Sequence, residues 1–409
     1  MPAPITLLAL GTRGDVEPML LLAGRLRAHG REAVVVGADD YAGLAGDLGV
    51  DYWSVGPGLD EVQRLAGTPL GRAARRIDLL QPLLLRRWFG ILAAGIADRL
   101  PRGVSAGSLL VTGLGGQAAA AALAQDRGCR VVTVLHTGLM PTAHRDSHVL
   151  GAAVPAPLRR WATSLAWRST HSMSRPAARL LRATLGLPAQ GAPPPAGGPV
   201  LLAADPVLVP PAADWPANLV QTAAIRPGHI DYRPPDWLAR FLADGPPPVY
   251  LGLGSLTEAP GDHWQRLIRG AAADTGRRLL TPAAGQLPSG PLNAQLALLP
   301  ALPHDWLFPR VAGVIHHGGA GTTAAGLRAG VPSAAVPLVL DQPYHGRRLA
   351  ELGVGPAPVP LPRLTTTRLA GLILAVAGDS HRERAAAVGR EARSRDGLAL
   401  TVDRLITLA

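Results

Sequence analysis

Short apolar runs alternate along the chain with longer stretches whose apolar residues recur every three or four positions. "PITLLALG" (4–11) has the length of one buried strand. "PMLLLAGRLRAHG" (18–30) carries helical spacing and is closed by Gly30, and "EAVVVGA" (32–38) is the next strand. "GSLLVTG" (107–113) and "RVVTVLH" (130–136) repeat the strand pattern around the helical "QAAAAALAQDRG" (117–128). Strand, helix and strand in succession, with β-branched runs, predict a parallel, doubly wound sheet. The proline-rich "PAQGAPPPAGGP" (188–199) is a loop, and "VLLAADPVLVPP" and "LVQTAAIRP" lead into a linker.

The pattern then restarts. "PPVYLGLGS" (247–255) is a strand, Asp262 to about Asp274 a helix, and "RRLLTPA" and "AQLALLP" are further strands. "VAGVIHHGGAGTTAAGLRAGVP" (311–332) reads as strand, glycine turn and helix, closed by Gly330 and Pro332. The expected fold class is α/β: two Rossmann-like doubly wound parallel-sheet domains facing across a cleft. The expected boundaries are 1–222 for the first domain, 223–236 for the linker and 237–390 for the second. A C-terminal helix in 391–409 is expected to pack back on the N-terminal domain. Ligands are expected at the carboxyl ends of the strands.

A chain of 409 residues exceeds one ordinary core, which agrees with two domains. The single cysteine, Cys129, excludes a disulfide framework and a cysteine-based zinc site. No run reaches the ~18 uninterrupted apolar residues of a membrane span. The start lacks a basic n-region and runs into Gly-Thr-Arg-Gly-Asp, so it reads as a first strand and the expected location is cytoplasmic. The net charge of +11 is carried by arginine alone. Residues 1–204 hold 21 arginines against 13 acids, and 205–409 hold 19 against 16. Within 72–102, seven arginines and two aspartates surround a leucine-rich stretch. Two readings stand open there: a solvated helix pair, or a peripheral contact with anionic lipid or an anionic acceptor. No nucleic-acid motif occurs, and aromatics for base stacking are few.

Two constellations carry chemistry. In "HHGGAGTT", Gly318, Gly319 and Gly321 leave backbone amides uncovered at a helix start, where the dipole favours an anion. Thr322 adds a hydroxyl and His317 a ring donor, while His316 should point the opposite way, into the core. A diphosphate cradle and a mere tight turn are both open on these residues alone. Ser255 ends the strand expected beside this one and is placed to meet the same phosphates. The second constellation is "GTRGDVEP" (11–18), which ends the first strand and sets Asp15 at a cleft opening.

The run 314–355, "VIHHGGAGTTAAGLRAGVPSAAVPLVLDQPYHGRRLAELGVG", resembles the nucleotide-sugar signature of the UDP-glycosyltransferase family. Within that family it is most similar to actinobacterial antibiotic (glycopeptide-type) and sterol glycosyltransferases. "GTRGDVEPML", "LLAADPVL", "PPPVYLGLGS" and "FPRVAGVIHHGG" extend the resemblance over nearly the whole chain. It implies the GT-B fold and transfer, with inversion, of a sugar from a UDP- or dTDP-sugar to a hydroxyl of a lipophilic natural-product aglycone. A membrane-surface enzyme acting on a sterol or lipid-linked acceptor is the alternative, and a catalytically silent GT-B-like auxiliary protein is the reading from another class.

The resemblance assigns His317, Gly319, Gly321 and Thr322, with Ser255 opposite, to the donor diphosphate. It assigns Asp341 and Gln342 to the sugar hydroxyls, although Asp341 also reads as a helix N-cap. Asp15 stands where many members carry a histidine and is the expected general base. Arg13 reads equally as a diphosphate contact or a surface charge. Thr12 and His136 are weaker acceptor-side candidates, and His144 and His148 read as solvated loop histidines. Trp306 falls outside the family's uracil-stacking position and reads as core. Ala325 stands where UDP-using members often place a ribose-binding glutamate, which leaves dTDP-sugars open. No Asp-x-Asp run or metal-ligand spacing occurs, so neither metal nor other cofactor is expected.

Overall fold

The computed structural model describes residues 4–56, 68, 81–189, 198–228, 230–253, 262–283 and 288–409. The chain divides into two compact units, one of residues 1–226 with 396–409 and the other of residues 227–395.

The first unit is built on a seven-stranded sheet of order β3-β2-β1-β4-β5-β6-β7. Its strands are β1 (Ile5–Ala9), β2 (Ala33–Gly37), β3 (Asp51–Ser54), β4 (Leu109–Thr112), β5 (Arg130–Leu135), β6 (Val200–Leu202) and β7 (Leu219–Gln221). Every pairing is parallel. The alternation of β1 assigns the two faces. Ile5, Leu7 and Ala9 pack with Met19, Leu22 and Leu26 of the Arg13–Ala28 helix and with Val402 and Leu405 of the Gly397–Leu408 helix. Leu8 and Leu10 turn the other way, onto Phe89, Leu92 and Ile96 of the Gln81–Gly103 helix.

On that second face the described part of the basic segment turns its large apolar side chains inward. Trp88, Phe89, Leu92, Ile96 and Leu100 are buried, Arg99 donates to the Ser54 carbonyl, and Arg102 pairs with Asp98. The helix spends its apolar side on the core. Residues 72–80 lie outside the described residues.

The first helix starts five residues earlier than its apolar spacing predicts, at Arg13 rather than Pro18. Local chemistry is the reason. Asp15 Oδ2 accepts from the Thr12 backbone N–H at 2.9 Å, satisfying an amide that would otherwise be orphaned at the helix start. Pro18 is carried inside the helix.

The second unit has a six-stranded sheet of order β10-β11-β9-β8-β12-β13. Its strands are β8 (Val249–Gly252), β9 (Leu279–Pro282), β10 (Gly290–Pro291), β11 (Leu296–Leu299), β12 (Gly313–His316) and β13 (Ser333–Ala335). Only β10 runs antiparallel, against β11. Val249, Leu251 and Ile315 pack under the Asp262–Thr275 and Thr366–Ala377 helices, while Tyr250 and Val314 face Leu307 and Phe308. Trp306 lies at the margin of that second layer, edge-on to Tyr232 at 5.0 Å with Arg310 over its ring. No described helix is long and apolar enough to cross a membrane.

Candidate functional site

Each sheet reverses its strand order at one point, and the carboxyl ends there open a crevice. In the first unit the point is β1/β4, and the loop after β1 carries Gly11, Thr12, Arg13 and Asp15. Asp15 folds back over Gly11 so closely that any Cβ at Gly11 would collide with its carboxylate. Its Oδ2 also accepts from Thr12 Oγ1 at 3.4 Å. The carboxylate is therefore fixed by its own turn and is half-buried. Glu17, one turn on, is already engaged, 3.0 Å from Arg13 Nε and 3.9 Å from Arg226 Nη1. Arg13 is exposed and bound in that pair. Tyr41 is buried nearby, and burial, then Asp40 and Asp15, push its phenol up out of its ordinary range.

His136 follows β5, two strands along from β1. Its Nε2 is buried with no hydrogen-bond partner among the described residues, and burial pulls its pKa down to about 4. His148 departs from the solvated reading. It is fully buried, its Nδ1 accepts from Leu150 N at 3.0 Å, and burial lowers its pKa to about 4. The reason is the fold of its loop, where the Val149 N–H donates to the Gly138 carbonyl at 2.9 Å and draws residue 148 inward.

In the second unit the reversal is at β8/β12, where His316 pairs with Gly252. Ser255, three residues beyond Gly252, lies outside the described residues. After β12 the chain turns through His317, Gly318 and Gly319 into the Ala320–Ala329 helix, with Gly319 at the N-cap. The first-turn amides of this helix have no intrahelical acceptor. Gly321 and Thr322 sit half-buried in that turn, and the Thr323 hydroxyl donates to the Gly319 carbonyl at 2.8 Å.

The turn needs its glycines for two separate reasons. Gly318 adopts φ +90, which L side chains rarely adopt, and a Cβ there would approach the Gln342 carbonyl oxygen to 2.7 Å. At Gly319 a Cβ would collide with the His317 ring. His317 Nδ1 is buried with no hydrogen-bond partner among the described residues. Burial, and then His345, hold the His317 pKa to about 4, so the ring is neutral and keeps one N–H to donate. His316 lies in the core, its Nδ1 accepting the Gly318 N–H at 3.0 Å, and burial, with the histidines around it, depresses its pKa strongly.

The loop after β13 approaches the same turn. Leu340 is held at φ +58, a strained conformation for a branched side chain, immediately before Asp341 at the N-cap position of the Gln342–Glu351 helix. Asp341 makes no side-chain cap bond; its Oδ2 lies 3.7 Å from His345 Nδ1. Gln342 is buried, and its Oε1 accepts from the Leu338 and Val339 amides at 2.8 and 3.1 Å, which pins the loop. His345, a residue the motif reading left without a role, is fully buried with Nδ1 2.8 Å from the Gly318 carbonyl oxygen. It ties the helix behind Asp341 to the glycine turn. The signal was in the spacing, because i and i+4 share a helix face.

His317, Gly319, Gly321, Thr322, Asp341 and Gln342 are thus gathered around one turn of the second unit. Thr12, Arg13 and Asp15 share one turn of the first. A glycine helix start with a histidine donor beside a carboxylate and an amide is the equipment of a protein that binds an anionic, hydroxyl-bearing ligand.

Residues 282–408 match the family described as erythromycin biosynthesis protein CIII-like, C-terminal domain. The chain is 34% identical over 428 residues to the vancomycin aglycone glucosyltransferase of Amycolatopsis orientalis, covering 98% of this chain and 97% of that one. A sterol 3-beta-glucosyltransferase of Arabidopsis thaliana is 38% identical over 173 residues, 41% of this chain and 27% of its own length. Among solved structures, the glycosyltransferase VinC in complex with dTDP superposes with a TM-score of 0.62 at 19% identity, covering 99% of this chain and 98% of that one. The fold is GT-B, and the chain belongs to the family of antibiotic and sterol glycosyltransferases.

Proposed function

We propose that this glycosyltransferase moves a sugar from a UDP- or dTDP-sugar to a hydroxyl of a lipophilic natural-product aglycone, in one displacement that inverts the anomeric carbon. The observation that supports this most strongly is the glycine helix start 318–322 with the neutral His317 beside it. The departing diphosphate gains charge as the glycosidic bond breaks. Oriented amides, a helix dipole and a ring N–H are suited to meet that charge without a cation. No metal and no cofactor beyond the co-substrate enters this reading.

Asp341 is the residue for the sugar hydroxyls. Gln342, whose carbonyl oxygen already holds the 338–339 amides, has its NH₂ group to offer. Asp15 is the base that takes the acceptor proton as the oxygen attacks, held by Thr12 in a fixed pose. Thr12 and His136 are acceptor-side residues in the same unit, and Ser255 is a further phosphate contact. The similarity to a vancomycin aglycone enzyme over nearly the whole chain favours a natural-product acceptor. The sterol enzyme's match, confined to less than half of this chain, makes a sterol or lipid-linked acceptor the second reading.

The test is release of nucleoside diphosphate from UDP- and dTDP-sugars with a panel of aglycones, in EDTA. Turnover should persist in the chelator. Loss that magnesium or manganese restores would overturn the metal-free chemistry. A liganded structure with the diphosphate on Gly11–Gly14 would overturn the donor assignment.

A further inference from the structure

We propose that the face formed by Leu150, the segment 152–158 and one side of the Arg159–Met173 helix docks on an anionic lipid bilayer. Large apolar side chains stand out to solvent here at helical spacing. Leu158 is 53% exposed, Trp161 66% and Leu165 52%, and Leu150 just before them is 40% exposed. Positions 158, 161 and 165 fall on one helix face, which Arg168 continues at i+3 from Leu165. Ahead of the helix, Ala152, Ala153 and Pro155 to Pro157 are also exposed, and 149–158 contains no charged residue. Ordinary soluble surfaces scatter such residues singly; a contiguous group marks a contact surface.

Charge selects the occupant. Between Asp146 and Asp205 the sequence has no acidic residue and six arginines. Three of these serve the fold. Arg159 donates to the Gly151 and Val154 carbonyls, Arg160 pairs with Asp214 at 2.9 Å, and Arg182 donates to Gln125 and Pro188. The other three, Arg168, Arg175 and Arg179, are exposed. The apolar face runs onto Arg168, the Asp214 carboxylate beside its start is paired with Arg160, and the exposed arginines further along leave the stretch cationic, which complements lipid headgroups over acyl chains. Trp161 suits the boundary, where an indole presents an apolar body and a polar N–H. The face is also held firmly. Asp214 accepts from Arg160 and from the Ala143 amide at 2.8 Å, with the Thr142 hydroxyl as a third donor, so the helix start is fastened to the loops beneath it. Among its described side chains, the Gln81–Gly103 helix turns its large apolar residues into the core instead.

The experiment is co-sedimentation of the full chain with phosphatidylcholine vesicles, with and without phosphatidylglycerol. Wild-type protein should bind the anionic vesicles at low salt and release as salt screens the arginines. Trp161→Ser with Leu165→Ser should lower the partition by ~10-fold or more while leaving the melting temperature and turnover on a soluble acceptor unchanged. Arg168→Gln with Arg179→Gln should flatten the salt dependence. Absence of wild-type binding at every salt concentration would overturn the proposal, as would apolar variants that bind like wild type. So would a dimer in light scattering that the Trp161 variant dissolves, which would make the face a protein interface. A vesicle-independent rise in KM for a soluble acceptor would give the face to the acceptor instead.

Discussion

Replacing Asp15 by asparagine separates catalytic from structural roles at one atom. The Asn side chain keeps a carbonyl oxygen that can still accept the Thr12 N–H, now 2.9 Å from Oδ2, so the turn should persist. What the helix loses is a negative charge in its first turn, worth about 0.3–1 kcal/mol. The proton acceptor, in contrast, disappears altogether. A lost general base lowers turnover by ~10²–10⁴-fold, which is about 2.7–5.4 kcal/mol of barrier. The rate effect therefore exceeds the stability effect several times over. Glu17 cannot substitute cheaply, because Arg13 and Arg226 already hold it. Turnover should be measured at saturating donor and acceptor, with thermal unfolding and calorimetric nucleotide titration of the same variant. Nucleotide affinity should hold, since the proposed cradle, His317 to Thr322, belongs to the second unit. Asp15→Ala, which also removes the Thr12 bond, should cost about 1 kcal/mol more stability for the same loss of rate. An Asn variant within a few-fold of wild type, with chemistry limiting, would refute the assignment and move the search to His136.

His317→Ala should weaken nucleoside diphosphate binding by ~1.5–3 kcal/mol in calorimetry, and an unchanged affinity would remove the ring from the phosphate site. His136, His148 and His317 each have a folded pKa of about 4 against an ordinary 6.5. Between those values the unfolded chain binds more protons, so stability is fully present above pH 6.5 and is lost as pH falls towards 4. The melting temperature should drop across that window and drop less in His148→Gln; a flat profile would contradict the buried, neutral rings.

The paired sheets were legible because buried parallel strands read as continuous apolar runs, and helices between them set the period. The start of the first helix was not, since the signal at Thr12 and Asp15 is a hydrogen-bonding device that hydropathy does not carry. A similar limit applies at the loop after β13. The "DQP" run names a carboxylate and an amide, but the Leu338 and Val339 amides claim the Gln342 oxygen only once the loop has closed. His345 shows the converse, a role open to spacing yet hidden by its place among residues with more familiar chemistry. His148 is buried where the loop composition suggests solvent, because composition says nothing about which side chains a loop folds over.

The Gly397–Leu408 helix has a consequence for how the chain is made. Its first residue is pressed against the carbonyls of Ala223 and Ala224, where no Cβ would fit. Thr401 bonds Thr222 at 2.9 Å, and Val402 and Leu405 complete a core begun by Ile5 and Leu7. During synthesis that core must wait, with its apolar groove open, until residues from the far end have left the ribosome. The unit of 227–395 is contiguous and needs none of those residues. A released chain cut before residue 397 would thus keep the second unit whole and leave the first with an open core, a natural client for a chaperone.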